Sequence, residues 1–198
     1  MAVAVAAAAV IVIVVVLLGG GPPSGPAQPT VCGLASPVVG SASLAPGQPG
    51  PSPAFVPPDN WRLYQDPSGF RVAYPKDWTR FGTGACFGDG GERRYLAIGQ
   101  WQQPDKDLVG YWNRKDAEVA SSLSGYKKIG IKDHANYFDG AADWEFTFTE
   151  NGETIHVMAV AFVSGTRGYA YLWACKDTIW RISESDFSLI NATFQPAH

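Results

Sequence analysis

The chain has 198 residues, with 18 acidic and 15 basic side chains, a formal net charge of −3 and a pI near 5.5. That balance, without any run of Lys or Arg, excludes the basic footprint a nucleic-acid binder needs. The charge is unevenly laid out: residues 1–58 carry none, so every charged side chain and all seven Trp fall in residues 59–198, enough chain for one core.

Residues 1–18, MAVAVAAAAVIVIVVVLL, form an uncharged apolar run. Taken on to Gly21, the stretch spans roughly 30 Å as a helix at ~1.5 Å per residue, the thickness of a hydrocarbon core. Residues 1–21 are therefore expected to be a transmembrane anchor in the lipid bilayer. A cleaved signal peptide, followed by secretion, is the competing reading. The first basic residue is Arg62, so the positive-inside rule has nothing to act on. A cytoplasmic portion upstream of Met1 is the expectation that accounts for this.

Residues 19–58 hold 11 Pro and 8 Gly and no charge. Such a segment buries too little apolar surface to offset its ordering entropy, so residues 22–58 read as a linker. Between the coil and polyproline limits, a tether of this size reaches from about 35 Å to about 120 Å.

The folded domain is expected over residues 59–198. Asp66-Pro67-Ser68-Gly69 is a turn, after which Phe70, Val72 and Tyr74 alternate as a strand closed by Pro75. Ala85-Cys86-Phe87 and Arg94 to Trp101 read as a hairpin around Gly88-Asp89-Gly90-Gly91. Pro104 to Asp107 reads as a helix start with an Asp cap. Leu108, Trp112, Val119 and Leu123 share one face of that helix, which ends over Ser121 to Gly125. Tyr126 to Lys132 is the next strand, with Ile129 and Ile131 on one face.

Residues 141–176 organise the rest. Trp144, Phe146 and Phe148 alternate with polar residues, and Asn151-Gly152 matches a type I′ turn. Ile155 to Val163 is apolar almost without interruption, as in a central strand covered on both faces. After a turn over Ser164 to Gly168, Tyr169, Tyr171 and Trp173 alternate again. Trp180, Phe187, Ile190 and Phe194 then share the face of a closing helix, with Ser183 as its cap and Asp186 three residues on. The order predicts an α+β sandwich with a largely antiparallel sheet of about six or seven strands flanked by helices.

The phrases WRLYQDPSGFRVAYPKDWTR, AADWEFTFTENGETIHV and LINATFQP resemble a family of actinobacterial extracytoplasmic domains. Its members lie at the C-terminus of membrane-anchored proteins and of receptor-type serine/threonine protein kinases. The resemblance covers about residues 60–196 and implies a fold similar to PsbP, the photosystem extrinsic subunit, and to a nuclear-import Ran-binding factor. These motifs are turns and core aromatics, so the resemblance supplies no catalytic or binding residue, and fold alone does not fix function.

Chemistry is sparse. The Gly-rich phosphate loop and catalytic Asp of a kinase have no counterpart here. His134, His156 and His198 lack chelating spacing and there is no Cys-x-x-Cys, so neither metal nor cofactor is expected. Asp133-His134 reads as a solvated strand end, and Glu145 as a surface residue without a partner. Asn191-Ala192-Thr193 is read as a chance match to a glycosylation pattern inside the closing helix. A disulfide between Cys86 and Cys175 is permitted outside the cytoplasm, leaving Cys32 over in the linker. Tyr169, Tyr171 and Trp173 are candidates for a ligand face, against the plainer reading of a row packed beneath a helix.

The expected function is that of a membrane-tethered extracytoplasmic binding or sensor domain, without catalysis, for an unknown protein or small-molecule ligand at the cell envelope. The alternatives are a C-terminal fragment of a receptor-type kinase and an envelope assembly or structural factor.

Overall fold

The computed structural model describes residues 56–81, 85–89, 94–134 and 137–197. The expected anchor, and the linker up to residue 55, lie outside the described residues. In chain order the elements are β1 (Trp61–Gln65), β2 (Arg71–Pro75), β3 (Thr79–Arg80), β4 (Ala85–Gly88), β5 (Tyr95–Gln102) and helix α1 (Leu108–Ala120). Then come β6 (Lys127–Asp133), β7 (Ala141–Glu150), β8 (Glu153–Ser164), β9 (Arg167–Lys176), a 3-10 turn (Asp177–Ile179) and helix α2 (Trp180–Thr193).

Seven strands form one sheet in the order β3-β4-β5-β9-β8-β7-β6, and every neighbouring pair is antiparallel. The chain leaves β5, crosses over through α1 to the far edge, and returns by three hairpin steps to pair β9 with β5. The β7–β8 step works because Asn151 (φ 50°) and Gly152 (φ 79°) both adopt positive φ, the requirement of a type I′ turn.

The strand alternation sorts the core into two layers. On one face Trp144, Phe146, Phe148, Val157 and Leu172 lie with Leu108, Trp112 and Val119 of α1. On the other, Phe87, Leu96, Phe162, Tyr171 and Trp173 lie with Ile190 and Phe194 of the α2 segment. β8 feeds both layers, which is why its sequence reads as almost uninterrupted apolar residues from Ile155 to Val163. Asp107 caps α1 by accepting from the Gly110 amide at 2.8 Å. Trp112 fixes the helix to the sheet by donating from Nε1 to the Ala142 carbonyl at 2.9 Å.

Three features differ from the sequence reading. β1 and β2 pair only with each other. They are held against the chain end instead: Arg71 and Gln195 exchange backbone hydrogen bonds at 2.8 Å each, and the Ala73 amide donates to Thr193 Oγ1 at 3.1 Å. In β6 a bulge between Lys128 and Gly130 breaks the two-residue period, so Ile131 packs on the core while Ile129 is 52% exposed. Ser183 is not the cap of α2, because the helix starts three residues earlier, on the 3-10 turn, and buries Ser183 in its second turn.

Candidate functional site

The aromatic row does not line a groove. Tyr169, Tyr171 and Trp173 are 0% exposed. Phe194 stacks on Tyr171 and meets Tyr169 edge-on, and Trp78 stacks on Trp173 with 5.2 Å between centroids. Their odd positions on β9 point under α2 and the β1–β2 hairpin. Burial holds the Tyr171 hydroxyl well above its ordinary pKa, so it stays protonated and donates to Asn191 Oδ1. Asn191 and Thr193 of the apparent glycosylation pattern are thus structural side chains of α2.

The Cys86–Cys175 bridge is also absent, for two geometric reasons. Cys86 pairs across β4–β5 with Ala97, which pairs with Leu172 on β9, so this row belongs to the α1 face. Cys175 pairs with His156 and shares the opposite face with Trp173. Two strand spacings, about 9.6 Å, already exceed the ~7 Å limit for bridged Cα atoms. Cys175 is a free, buried thiol, and Cys86 is disulfide-bonded to another partner. Burial pushes the Cys175 thiol up to about 11, partly offset by a hydrogen bond with Ser183.

Glu145, expected at the surface without a partner, is paired. His156 sits in β8 with Nε2 2.8 Å from Glu145 Oε1 and Nδ1 2.9 Å from Asp177 Oδ1. Its ring lies flat on Trp180, 3.7 Å between centroids and 1° between planes. Sequence reading missed this because β7, β8 and the 3-10 turn meet only through strand register. The arrangement is structural: both ring nitrogens are committed and none is left for a metal or a substrate. His134 likewise pairs with Asp143 through Nε2 at 2.7 Å, two residues along β7 on the same face as Glu145. No group of three or more metal-ligating side chains converges among the described residues.

A cleft of about 310 Å³ opens where the β1–β2 hairpin, the turn after it, the start of β5 and α2 meet. Asn60, Trp61, Pro75, Lys76, Asp77, Arg94 and Asp186 line it. Arg94 is its best-held side chain. Its Nε donates to Asp89 Oδ2 at 2.7 Å, and its guanidinium carbon lies 5.7 Å from the centre of the Trp78 ring. Burial alone would lower the Arg94 pKa, but the Asp89 hydrogen bond and the charges of Asp89, Asp186 and Asp77 raise it, so the group is a permanent cation. One terminal nitrogen lies 3.6 Å from Asp186 Oδ2, longer than a hydrogen bond, so its donor capacity is not used there. Burial raises the Asp186 carboxyl pKa, and Arg94 pulls it back down. The lining contains no histidine, cysteine or hydroxyl nucleophile.

The model of the family described as serine/threonine kinase C-terminal domain matches residues 62–196, from β1 to just past α2. The chain belongs to that family. No curated protein matches it. Among solved structures, cyanobacterial PsbP (CyanoP) from Synechocystis is similar at 18% identity with a TM-score of 0.55, covering 75% of this chain and 98% of that one. A Pseudomonas aeruginosa protein of unknown function, a putative regulator called PA94, aligns at 14% identity and TM-score 0.48, covering 70% and 99%. LpqN, involved in cell envelope biogenesis of Mycobacterium tuberculosis, aligns at 17% and 0.43, covering 70% and 80%. CyanoP shows that the serine/threonine kinase C-terminal domain has a PsbP-like fold, as its resemblance implied. The expected kinase association is likewise the family's own description.

Proposed function

We propose that residues 59–198 are a non-catalytic recognition domain, held to a membrane by residues 1–21 and displayed outside the cytoplasm on residues 22–58. The observation that carries this reading is Arg94: a guanidinium fixed by Asp89 and Trp78 at the wall of a cleft, with donor capacity left over and no histidine, cysteine or hydroxyl nucleophile in the lining. A planar, permanently charged fork of this kind favours a small ligand bearing a carboxylate or phosphate, which would displace the loosely placed Asp186. Lys76 on the same wall adds a second positive charge, set against the carboxylates of Asp77 and Asp186 in the same lining.

The test is a thermal-shift titration of the full chain in nanodiscs with matched small anions and neutral analogues. An anion should raise the unfolding midpoint, and Arg94→Gln should abolish the rise. A shift that ignores ligand charge, or that survives Arg94→Gln, contradicts the reading.

A second reading follows from the family: the chain is the C-terminal part of a receptor-type kinase, with this domain as its sensory half. An antibody against the domain should then detect a native species well above 21.2 kDa. A native mass at that value contradicts it.

A further inference from the structure

The cleft beside Arg94 carries charges of both signs. Arg94 and Lys76 bring two positive charges to its lining, Asp77 and Asp186 bring two negative ones, and Asp89 adds a third carboxylate behind Arg94. The carboxylates are not held alike. Asp89 accepts from Arg94 at 2.7 Å, whereas among the described residues neither Asp77 nor Asp186 accepts a side-chain hydrogen bond. Burial raises the Asp186 carboxyl pKa, Arg94 lowers it, and the charge of Asp77 raises it again. Two like charges therefore share the cleft without a donor given to either. Trp61 and Pro75, cross-strand partners in β1–β2 and both buried, supply the apolar part of the lining.

A ligand with only a negative charge satisfies Arg94 but meets Asp77 and Asp186 as a like charge, in a partly buried place where solvent screens repulsion poorly. A ligand with an ammonium beside its carboxylate answers both halves of the lining. We propose that the cleft takes a free α-amino acid, its carboxylate on Arg94 and its α-ammonium on Asp186 and Asp77. This rests on the recognition reading above and names the ligand class within it.

The spacing selects the α form. Arg94 and Asp186 stand 3.6 Å apart at their nearest atoms, so the ligand's opposite charges must also be adjacent. In an α-amino acid one carbon carries both groups; in an ω-amino acid or a peptide the two ends are separated. The incoming carboxylate takes the guanidinium from Asp186, and the ammonium then gives Asp186 the donors it lacks. Trp61 and Pro75 suit an aliphatic side chain, which needs no polar partner on burial.

The test is a thermal-shift titration of the full chain in nanodiscs with L-alanine and L-leucine, their N-acetyl and amide forms, and ε-aminocaproate. The free amino acids should reach half of their full shift at a concentration roughly tenfold below that of the N-acetyl forms, which lack the ammonium. The amides, without the carboxylate, and ε-aminocaproate, with its charges far apart, should lag by at least as much. Asp186→Asn should split the set: the free amino acids weaken roughly tenfold, while the N-acetyl forms hold or strengthen because a competing carboxylate is gone. Asp77→Asn should split it in the same direction, and stands in should Asp186→Asn fail to fold. N-acetyl forms that match the free amino acids, or variants that move both alike, overturn the amino-acid assignment and leave the anion reading standing. No shift with either free amino acid also overturns it; the anion reading falls with it only if small anions give no shift.

Discussion

At the scale of single residues, His156 is a buried polar group held from three sides. It is 7% exposed, hydrogen-bonded at both nitrogens and stacked on Trp180. His156→Ala would strand Glu145 and remove the ring under Trp180. The expected loss is about 2 kcal/mol in a denaturant titration, the usual penalty for an orphaned half-buried partner. Alkaline pH provides a second check. Burial raises Cys175 from 9 to about 11, and burial, with the Asp66 hydrogen bond next, raises Tyr64 from 10 to about 12. As the pH climbs past 9 the unfolded chain sheds these protons first while the folded protein keeps them, so stability falls across pH 9–12. Urea midpoints at pH 8, 9.5 and 11 should decline, and Cys175→Ala should flatten the first part of that slope. Midpoints that hold steady or rise would contradict this.

Among the elements, the β5–β9 pair and the cap of α1 offer sharp tests. Gly168 sits opposite Trp101, and a Cβ there would come within 2.3 Å of the indole. Trp101 in turn stacks on Tyr111 of α1, so Gly168→Ala should push the indole out of that stack. A cost of about 1–3 kcal/mol, with a changed tryptophan emission maximum, is expected. Asp107→Ala should cost about 1 kcal/mol through loss of the cap on Gly110. Elements whose code is local could be read in advance. The alternation in β7 and β9, the Asn151-Gly152 turn and the Asp107 cap all depend on neighbours within a few residues. Elements fixed by distant partners could not. The β1–β2 hairpin leaves the sheet because of Gln195 and Thr193, more than a hundred residues on. Ile129 faces outward because of a bulge without a sequence signature. The site followed the same division. The cleft around Arg94 could not be read in advance, because it is assembled from β1, β2, the start of β5 and α2, which no spacing rule connects.

On the scale of the whole molecule, the division of charge is the leading feature. An uncharged front of 58 residues precedes a domain that carries every ionised side chain. Among the described residues no helix is long and apolar enough to cross a membrane, and the proposed membrane contact is the one assigned to residues 1–21. The PsbP-like sandwich places its two helices on opposite faces and leaves β6, with Lys127 and Lys128, exposed at one edge. Those lysines report directly on which side of the membrane the domain lies. Intact cells treated with a membrane-impermeant amine reagent should yield chain labelled at Lys127 and Lys128 to the same extent as chain from lysed cells. Lysines that stay unmodified until lysis would put the domain in the cytoplasm and contradict the account.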